Sequence, residues 1–261
     1  MFLAEPNQTP YDLHFSVLGF PVRVHPLFWL MGLVMGFGDV MTVFIAIAVA
    51  FVSILIHELG HALMMRRFGR ESHIVLYLMG GLAIEGSGSS FGGFRSRGSR
   101  TTYEQVLISA AGPGAGFVLA GLVVGILYAL GGNIKWDPIV GMLSIPTAEL
   151  VGDPAIGRDN QNLIVSFNLL LWFNLVWGAI NLLPVYPLDG GQIAQAVMVA
   201  KDPWGGLTRS LWLSVFTGAI ATVMGGFVFR SLYMVLLFGS LAYSSYLALQ
   251  QVGGGGRGRP W

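Results

Sequence analysis

The chain contains no cysteine, and only 10% of its 261 residues are charged. Without cysteine there are no disulfides and no thiolate metal ligands, so any zinc must be held by histidine and carboxylate. The scarcity of charge excludes an ordinary soluble domain, in which about a quarter of residues are charged. A net charge of +1 says nothing about nucleic acid. Residues Met1 to Asp12 lack a basic segment ahead of an apolar core, so the reading includes no cleaved signal peptide, and insertion rests on internal helices. What the chain has in abundance is apolar surface: 54% hydrophobic residues and a mean hydropathy of +0.68.

The apolar residues fall into runs. Leu27 to Phe37 follows His25-Pro26 and is short for a membrane span, whereas Val40 to Met65 is unambiguous and ends at Arg66-Arg67. Further runs cover Val106 to Leu130, Leu163 to Leu183, Leu207 to Val228 and Leu232 to Leu249. The expected architecture is an all-α membrane protein, a polytopic bundle of about six transmembrane helices forming one domain over Met1 to Val252. Gly253 to Trp261 is expected to be a flexible Gly/Arg tail. Phe15 to Val24 and His73 to Ile84 have strand composition, the latter around Gly80-Gly81, and predict a small membrane-associated β-hairpin or sheet. Gly86 to Gly98 reads as a flexible Gly/Ser linker, and Gly131 to Gln161 as a loop.

Arginines concentrate between the second and third runs (Arg66, Arg67, Arg70, Arg95, Arg97, Arg100), while Gly131 to Gln161 has only Lys135 and Arg158 as cations. Positive-inside bias then puts the arginine-rich segment and, with an even number of spans, both termini in the cytoplasm.

The second run carries His57-Glu58-Leu59-Gly60-His61. Histidines four apart share one helix face and can grip a single metal ion, and the carboxylate between them can take a proton from activated water. At a rise of about 1.5 Å per residue they lie roughly 8 to 14 Å inside the Arg66-Arg67 boundary. Leaving three such groups in a span without a compensating partner costs on the order of a few kcal/mol for each charged group, which favours a bound metal. A third ligand is expected where the backbone is irregular. Asn181-Leu182-Leu183-Pro184-Val185-Tyr186-Pro187-Leu188-Asp189-Gly190-Gly191 cannot continue as a regular helix, and Asp189 is the chosen ligand over His73, Glu85, Glu104, Glu149 and Asp153. Asn174 and Asn181 share roughly one face and are candidates to steady a substrate carbonyl or oxyanion, with interhelical packing an equally good account of Asn174.

These residues resemble the site-2 proteases, which are intramembrane zinc metalloproteases. The resemblance rests on His57 to His61, on Ala111-Gly112-Pro113 in the third run, and on Asn181 through Pro184 to Leu188-Asp189-Gly190-Gly191, and covers roughly residues 15 to 195. Gly19 to Pro26 is similar to the amino-terminal strand of one bacterial branch, which implies a bacterial cytoplasmic membrane. Carried over, the family pattern makes His57, His61 and Asp189 the ligands of one Zn2+ per chain, with Glu58 the general base. Many members have an asparagine where this chain has Gly116, and no PDZ-like or CBS-like regulatory domain is evident, so a separate regulatory partner is an open expectation. The implied activity is hydrolysis of a peptide bond in or near a transmembrane segment or signal-peptide remnant, in contact with membrane lipid and without nucleic acid. Ile74, Val75, Leu76, Gly80 and Gly81 are candidates for a strand that holds unwound substrate. A non-proteolytic membrane zinc protein, either a transporter or an inactive relative, is the alternative from another class, and a prenyl-protein endopeptidase is the alternative enzyme.

Overall fold

Where Phe15 to Val24 alternates apolar and polar residues, the computed structural model forms a hairpin, β1 (Leu13–Val17) and β2 (Phe20–Val24). The structure describes residues 6–30, 40–78, 80–85, 100–140, 143–150 and 161–254. After β2 comes a 3-10 turn at Pro26–Trp29, capped by the His25 side chain. Most of the first apolar run, 31–37, lies outside the described residues, as do the Gly/Ser stretch 86–98 and Asp153.

Helix α1 (Val40–Arg67) is followed by β3 (Ser72–Tyr77) and β4 (Gly80–Glu85). The expected small sheet therefore forms, with strand order β1-β2-β3-β4. Its two hairpins are antiparallel, but β2 and β3 pair in parallel through Val22↔Ile74, Arg23↔Val75 and Val24↔Leu76. A parallel pair needs a long crossover, and α1 lies within it. Phe20, Val22, Val24, Ile74 and Leu76 pack with Val49, Ala50, Ile54, Leu59 and Ala62 of α1. From the same strand, buried Arg23 donates at 2.8 Å to Asp12 and at 2.9 Å to the Pro6 carbonyl. Burial opposes the charge on Asp12, but hydrogen bonds from Thr9 and Arg23 outweigh it and hold its carboxyl down at about 2.

Helix α1 stops at a Schellman motif. Gly69 has a φ of 71°, Gly69 N–H donates to Arg66 and Arg70 N–H to Met65. Helix α2 (Thr102–Ala129) opens on a capping box, in which Glu104 N–H donates to the Thr101 hydroxyl and Thr101 N–H to the Glu104 carboxylate.

The segment expected to be a loop after α2 is a hairpin, β5 (Gly132–Val140) and β6 (Leu143–Leu150). Ala148 of β6 packs with Val123, Leu127, Phe167 and Leu171, and its N–H donates to Asn168 at 2.6 Å. The next span, α3, covers Gln161–Asn181, and its middle portion Trp172–Trp177 winds as a π-helix. Helices α4 (Asp189–Lys201), α5 (Gly206–Phe227) and α6 (Leu232–Gly254) follow. The first glycines of the expected tail continue α6, and 255–261 lie outside the described residues.

Helices predominate, and among the described residues five (α1, α2, α3, α5 and α6) have the length and composition to cross a membrane. Their most apolar windows are only 22–33% buried. Val118, Leu122 and Ile126 form an exposed apolar stripe on α2, as do Phe216, Ile220 and Val223 on α5. Stripes of this kind fit a lipid environment rather than water.

The described residues fall into two compact units. One takes its residues from Phe2–Gly98 and Ala111–Ala179, the other from Ser99–Ala110 and Ile180–Trp261. The first holds the four-stranded sheet, α1, most of α2, the β5–β6 hairpin and most of α3. In the second, α5 and α6 approach closely, so that a Cβ added at Gly218 would sit 3.0 Å from Ala242 Cβ.

Candidate functional site

The spacing of four along α1 stacks His57 above His61, with ring centroids 4.8 Å apart and planes at 76°. Both rings turn Nε2 toward the same point, the two nitrogens standing 3.1 Å apart. Two nitrogens bound to one tetrahedral zinc at about 2.0–2.1 Å would be separated by roughly 3.3 Å, close to what the apposed rings offer. Asp189 is the first residue of α4 and is buried. One ligand atom from each of His57, His61 and Asp189 lies within 4.8 Å of the others. Among the described residues this is the group of histidine and carboxylate side chains able to hold a metal, and its N, N, O donor set suits zinc.

The helix that packs on the histidines leaves room for nothing larger than hydrogen. A Cβ built at Gly112 of α2 would collide with His61 Nε2 and lie 2.8 Å from His57 Nε2. On α1, Gly60 is pressed in the same way against the Ala111 carbonyl. The Ala111-Gly112-Pro113 stretch thus brings bare backbone against the imidazole edges, a role that a bland helix-packing account of Gly112 misses. Glycine before proline inside a span was the visible signal; its target was not.

Glu58 is 5% exposed and lies on the same helix between the two histidines. The start of β4 runs against it, since a Cβ at Gly81 would stand 2.7 Å from Glu58 Oε1. This strand is one end of the sheet, so its outer edge is unpaired within the sheet. The candidate substrate strand must be corrected on this point. Ile74, Val75 and Leu76 belong to β3, which is paired with β2 on one side and β4 on the other and is buried, leaving no free edge there. Gly80 and Gly81 remain on an edge strand.

Asn174 sits in the π-helical turn, 2% exposed, and its amide donates to Ser53 of α1 at 2.9 Å and to the Leu170 carbonyl at 2.8 Å. One donor therefore serves the packing of α3 on α1, and the other stays within α3. Gly116 faces this asparagine, at a distance of 3.4 Å from Asn174 Oδ1 for an added Cβ. Asn181 ends α3 half-buried, and its side chain makes no hydrogen bond among the described residues. Of the rejected ligand candidates, Glu85 pairs with Arg70 at 2.8 Å, Glu104 caps α2, Glu149 faces Lys135 at 3.6 Å, and His73 lies on β3.

Comparison with known proteins places this geometry in context. Residues 45–223 match the model of peptidase family M50. A zinc metalloprotease of Methanocaldococcus jannaschii is 25% identical over 233 residues, which is 87% of this chain and 56% of the relative. A Synechocystis protein is 28% identical over 200 residues, 70% of this chain and 43% of its own length. The chain thus spans about half the length of these curated relatives. Among solved structures, a site-2 protease from Methanocaldococcus jannaschii superposes with a TM-score of 0.53 at 19% identity, covering 92% of this chain and 95% of the other. At that identity the likeness is one of fold.

Proposed function

The chain belongs to peptidase family M50, and from that membership and the apposed ligand side chains we propose that it is an intramembrane zinc metalloprotease that cleaves membrane-protein substrates in or near a transmembrane segment. The observation that carries this reading is the gathering of His57, His61 and Asp189 beside a buried glutamate, in a chain with five membrane-length apolar helices.

His57 and His61 would hold one zinc ion through Nε2, and Asp189 through a carboxylate oxygen. When bound there, zinc supplies Lewis acidity, polarising the scissile carbonyl and making water acidic enough to yield a nucleophile near neutral pH. Glu58 takes the proton from the attacking water and returns it to the departing amine, so the peptide nitrogen leaves neutral. Burial of the Glu58 side chain limits competing water around the carboxylate. Asn181, whose side chain makes no hydrogen bond among the described residues, would hold a substrate carbonyl.

A transmembrane substrate must unwind before its carbonyl can be attacked, and the freed amides then need partners. The outer edge of β4 meets that need without demanding a particular side-chain sequence, and Gly81 brings the strand next to Glu58. In the β3–β4 register Gly80 and Leu82 bond inward to β3, so proline at Ala83 is the change that removes a backbone donor from the outer edge. Loss of one such hydrogen bond, about 1 to 1.5 kcal/mol, is expected to lower kcat/KM roughly tenfold while zinc content stays at the parental level. Unimpaired cleavage by Ala83→Pro would restrict β4 to a structural role. Arginine asymmetry supports placing the segment that follows α1 on the cytoplasmic side. Labelling of Ser96→Cys from outside intact cells would contradict that orientation.

The direct test is reconstitution of the purified chain in lipid vesicles with transmembrane and signal-peptide substrates of differing helix stability. One zinc per chain and chelator-sensitive cleavage are expected. A zinc-loaded chain that cleaves none of them would favour a non-proteolytic zinc protein.

A further inference from the structure

Asp189 is delivered by a loop, and the loop's backbone hydrogen bonds can be followed one by one. Leu183 N–H donates to Ile180, Val185 N–H to Leu183 and Leu188 N–H to Val185, while Pro184 and Pro187 have no N–H. Tyr186 N–H finds no carbonyl in its own segment. It donates instead to the Ser214 hydroxyl of α5 at 2.7 Å, and Ser214 Oγ is in turn 2.8 Å from Ser245 Oγ of α6. Both serines are 1% exposed. The other side of the bend is held as well. The Pro187 carbonyl accepts from the Gln192 side chain at 3.1 Å, and Gln192 Oε1 accepts at 3.0 Å from Gln105 of α2, whose Oε1 accepts from Arg100.

The loop is also packed hard against the helix that begins at Asp189. A Cβ at Gly191 would stand 2.5 Å from Tyr186 N, and one at Gly190 would collide with the Leu182 carbonyl. Any displacement of Tyr186 therefore presses on the first turn of α4, two residues from the Asp189 carboxylate. In a span-depth environment an orphaned N–H is costly, so the loop has one low-energy seat, and the Ser214 hydroxyl defines it.

We propose that Ser214, backed by Ser245, is a positioning residue for Asp189. The pair fixes the Tyr186 amide, the Tyr186–Gly191 contact carries that fix to the first turn of α4, and the Asp189 carboxylate is thereby held ready for a metal ion. Helices α5 and α6 thus contribute to the metal centre without supplying a ligand. The inference rests on the reading of Asp189 as a metal ligand, and it assigns Ser214 the kind of supporting hydrogen bond whose loss from a metal site typically costs about 10- to 100-fold in affinity.

The test is zinc affinity of the full chain in detergent, measured by chelator competition, together with the visible spectrum of the cobalt-loaded chain and the thermal unfolding midpoint. Ser214→Ala is expected to weaken zinc binding about 10- to 100-fold and to alter the cobalt spectrum. Ser245→Ala should shift both in the same direction by less, because Tyr186 keeps its partner. Ser210→Ala serves as the control: Ser210 is buried one turn earlier on α5 and bonds only its own helix at Leu207, so zinc affinity should stay parental. Parental zinc affinity and cobalt spectrum in folded Ser214→Ala, with only the midpoint lowered, would overturn the proposal. If Ser214→Ala does not fold, parental affinity in Ser245→Ala overturns it. A parent chain that binds no zinc overturns the metal-site reading and this inference together.

Discussion

Replacing Glu58 by glutamine is expected to lower the cleavage rate by about 10²- to 10⁴-fold while the chain retains its zinc. The reason lies in what the substitution leaves alone. An amide has nearly the shape of a carboxylate, so it fits the buried position beside Gly81 and leaves the paired imidazoles of His57 and His61 on either side of it on α1. What it removes is the ability to accept a proton from water near neutral pH and to carry it to the leaving nitrogen. Because Glu58 is not among the side chains that gather as metal donors, zinc stoichiometry should be parental. Cleavage would be followed in single-turnover mode with enzyme in excess over a transmembrane substrate, which separates chemistry from product release, alongside metal analysis of the same preparation. Parental turnover by Glu58→Gln would sink the assignment of the general base. Loss of zinc together with activity would instead make Glu58 a structural member of the site.

The parts of this site that could be read from sequence are those fixed by local geometry. His57, Glu58 and His61 depend on helical spacing alone, and any helix through them presents both imidazoles on one face. Asp189 was legible because Pro184 and Pro187 forbid a continuous helix, and a span that breaks must do so for a reason. The glycines that follow Asp189 begin helix α4. Their purpose is close approach, with Gly190 against Leu182 and Gly191 against Val185 and Tyr186, and no local pattern distinguishes that from flexibility. Strand edges are a tertiary property for the same reason. Ile74 to Leu76 has strand composition, but its enclosure follows from parallel pairing with β2 across the whole of α1. The β5–β6 hairpin was obscured by Pro138 and Pro146, residues that argue against paired strands, although Asn133-Ile134-Lys135-Trp136-Asp137 does alternate polar and apolar side chains. The π-helical turn carrying Asn174 has no sequence signature in Trp172-Phe173-Asn174-Leu175-Val176-Trp177.

A single methyl group at Gly112 is expected to do as much damage to metal binding as removal of a ligand. Carbon atoms in ordinary contact stand about 3.5–4.0 Å apart, whereas an alanine Cβ here would overlap His61 Nε2 and Cε1 and lie 2.8 Å from His57 Nε2. These are the ring atoms that face the metal position, so relief by rotating the rings takes the donors out of line. Separating α1 from α2 is the other escape, and it would pull apart the tight seam at Gly60 and the Ala111 carbonyl. Zinc affinity in Gly112→Ala should therefore fall by at least about 100-fold, the upper end of what is lost when the surroundings of a metal ligand are disturbed. Helix content should be unchanged or higher, because glycine within a helix costs roughly 0.5–1 kcal/mol relative to alanine. Gly114 and Gly121 on the same helix provide the comparison, since an added Cβ meets nothing within 4 Å at either position. Gly114→Ala and Gly121→Ala should bind zinc as the parent does, with equal or greater thermal stability. Zinc titration and circular dichroism on the three variants decide the matter: parental affinity in Gly112→Ala would mean that the histidine rings have another seat and that the bare backbone of α2 does not shape the metal centre.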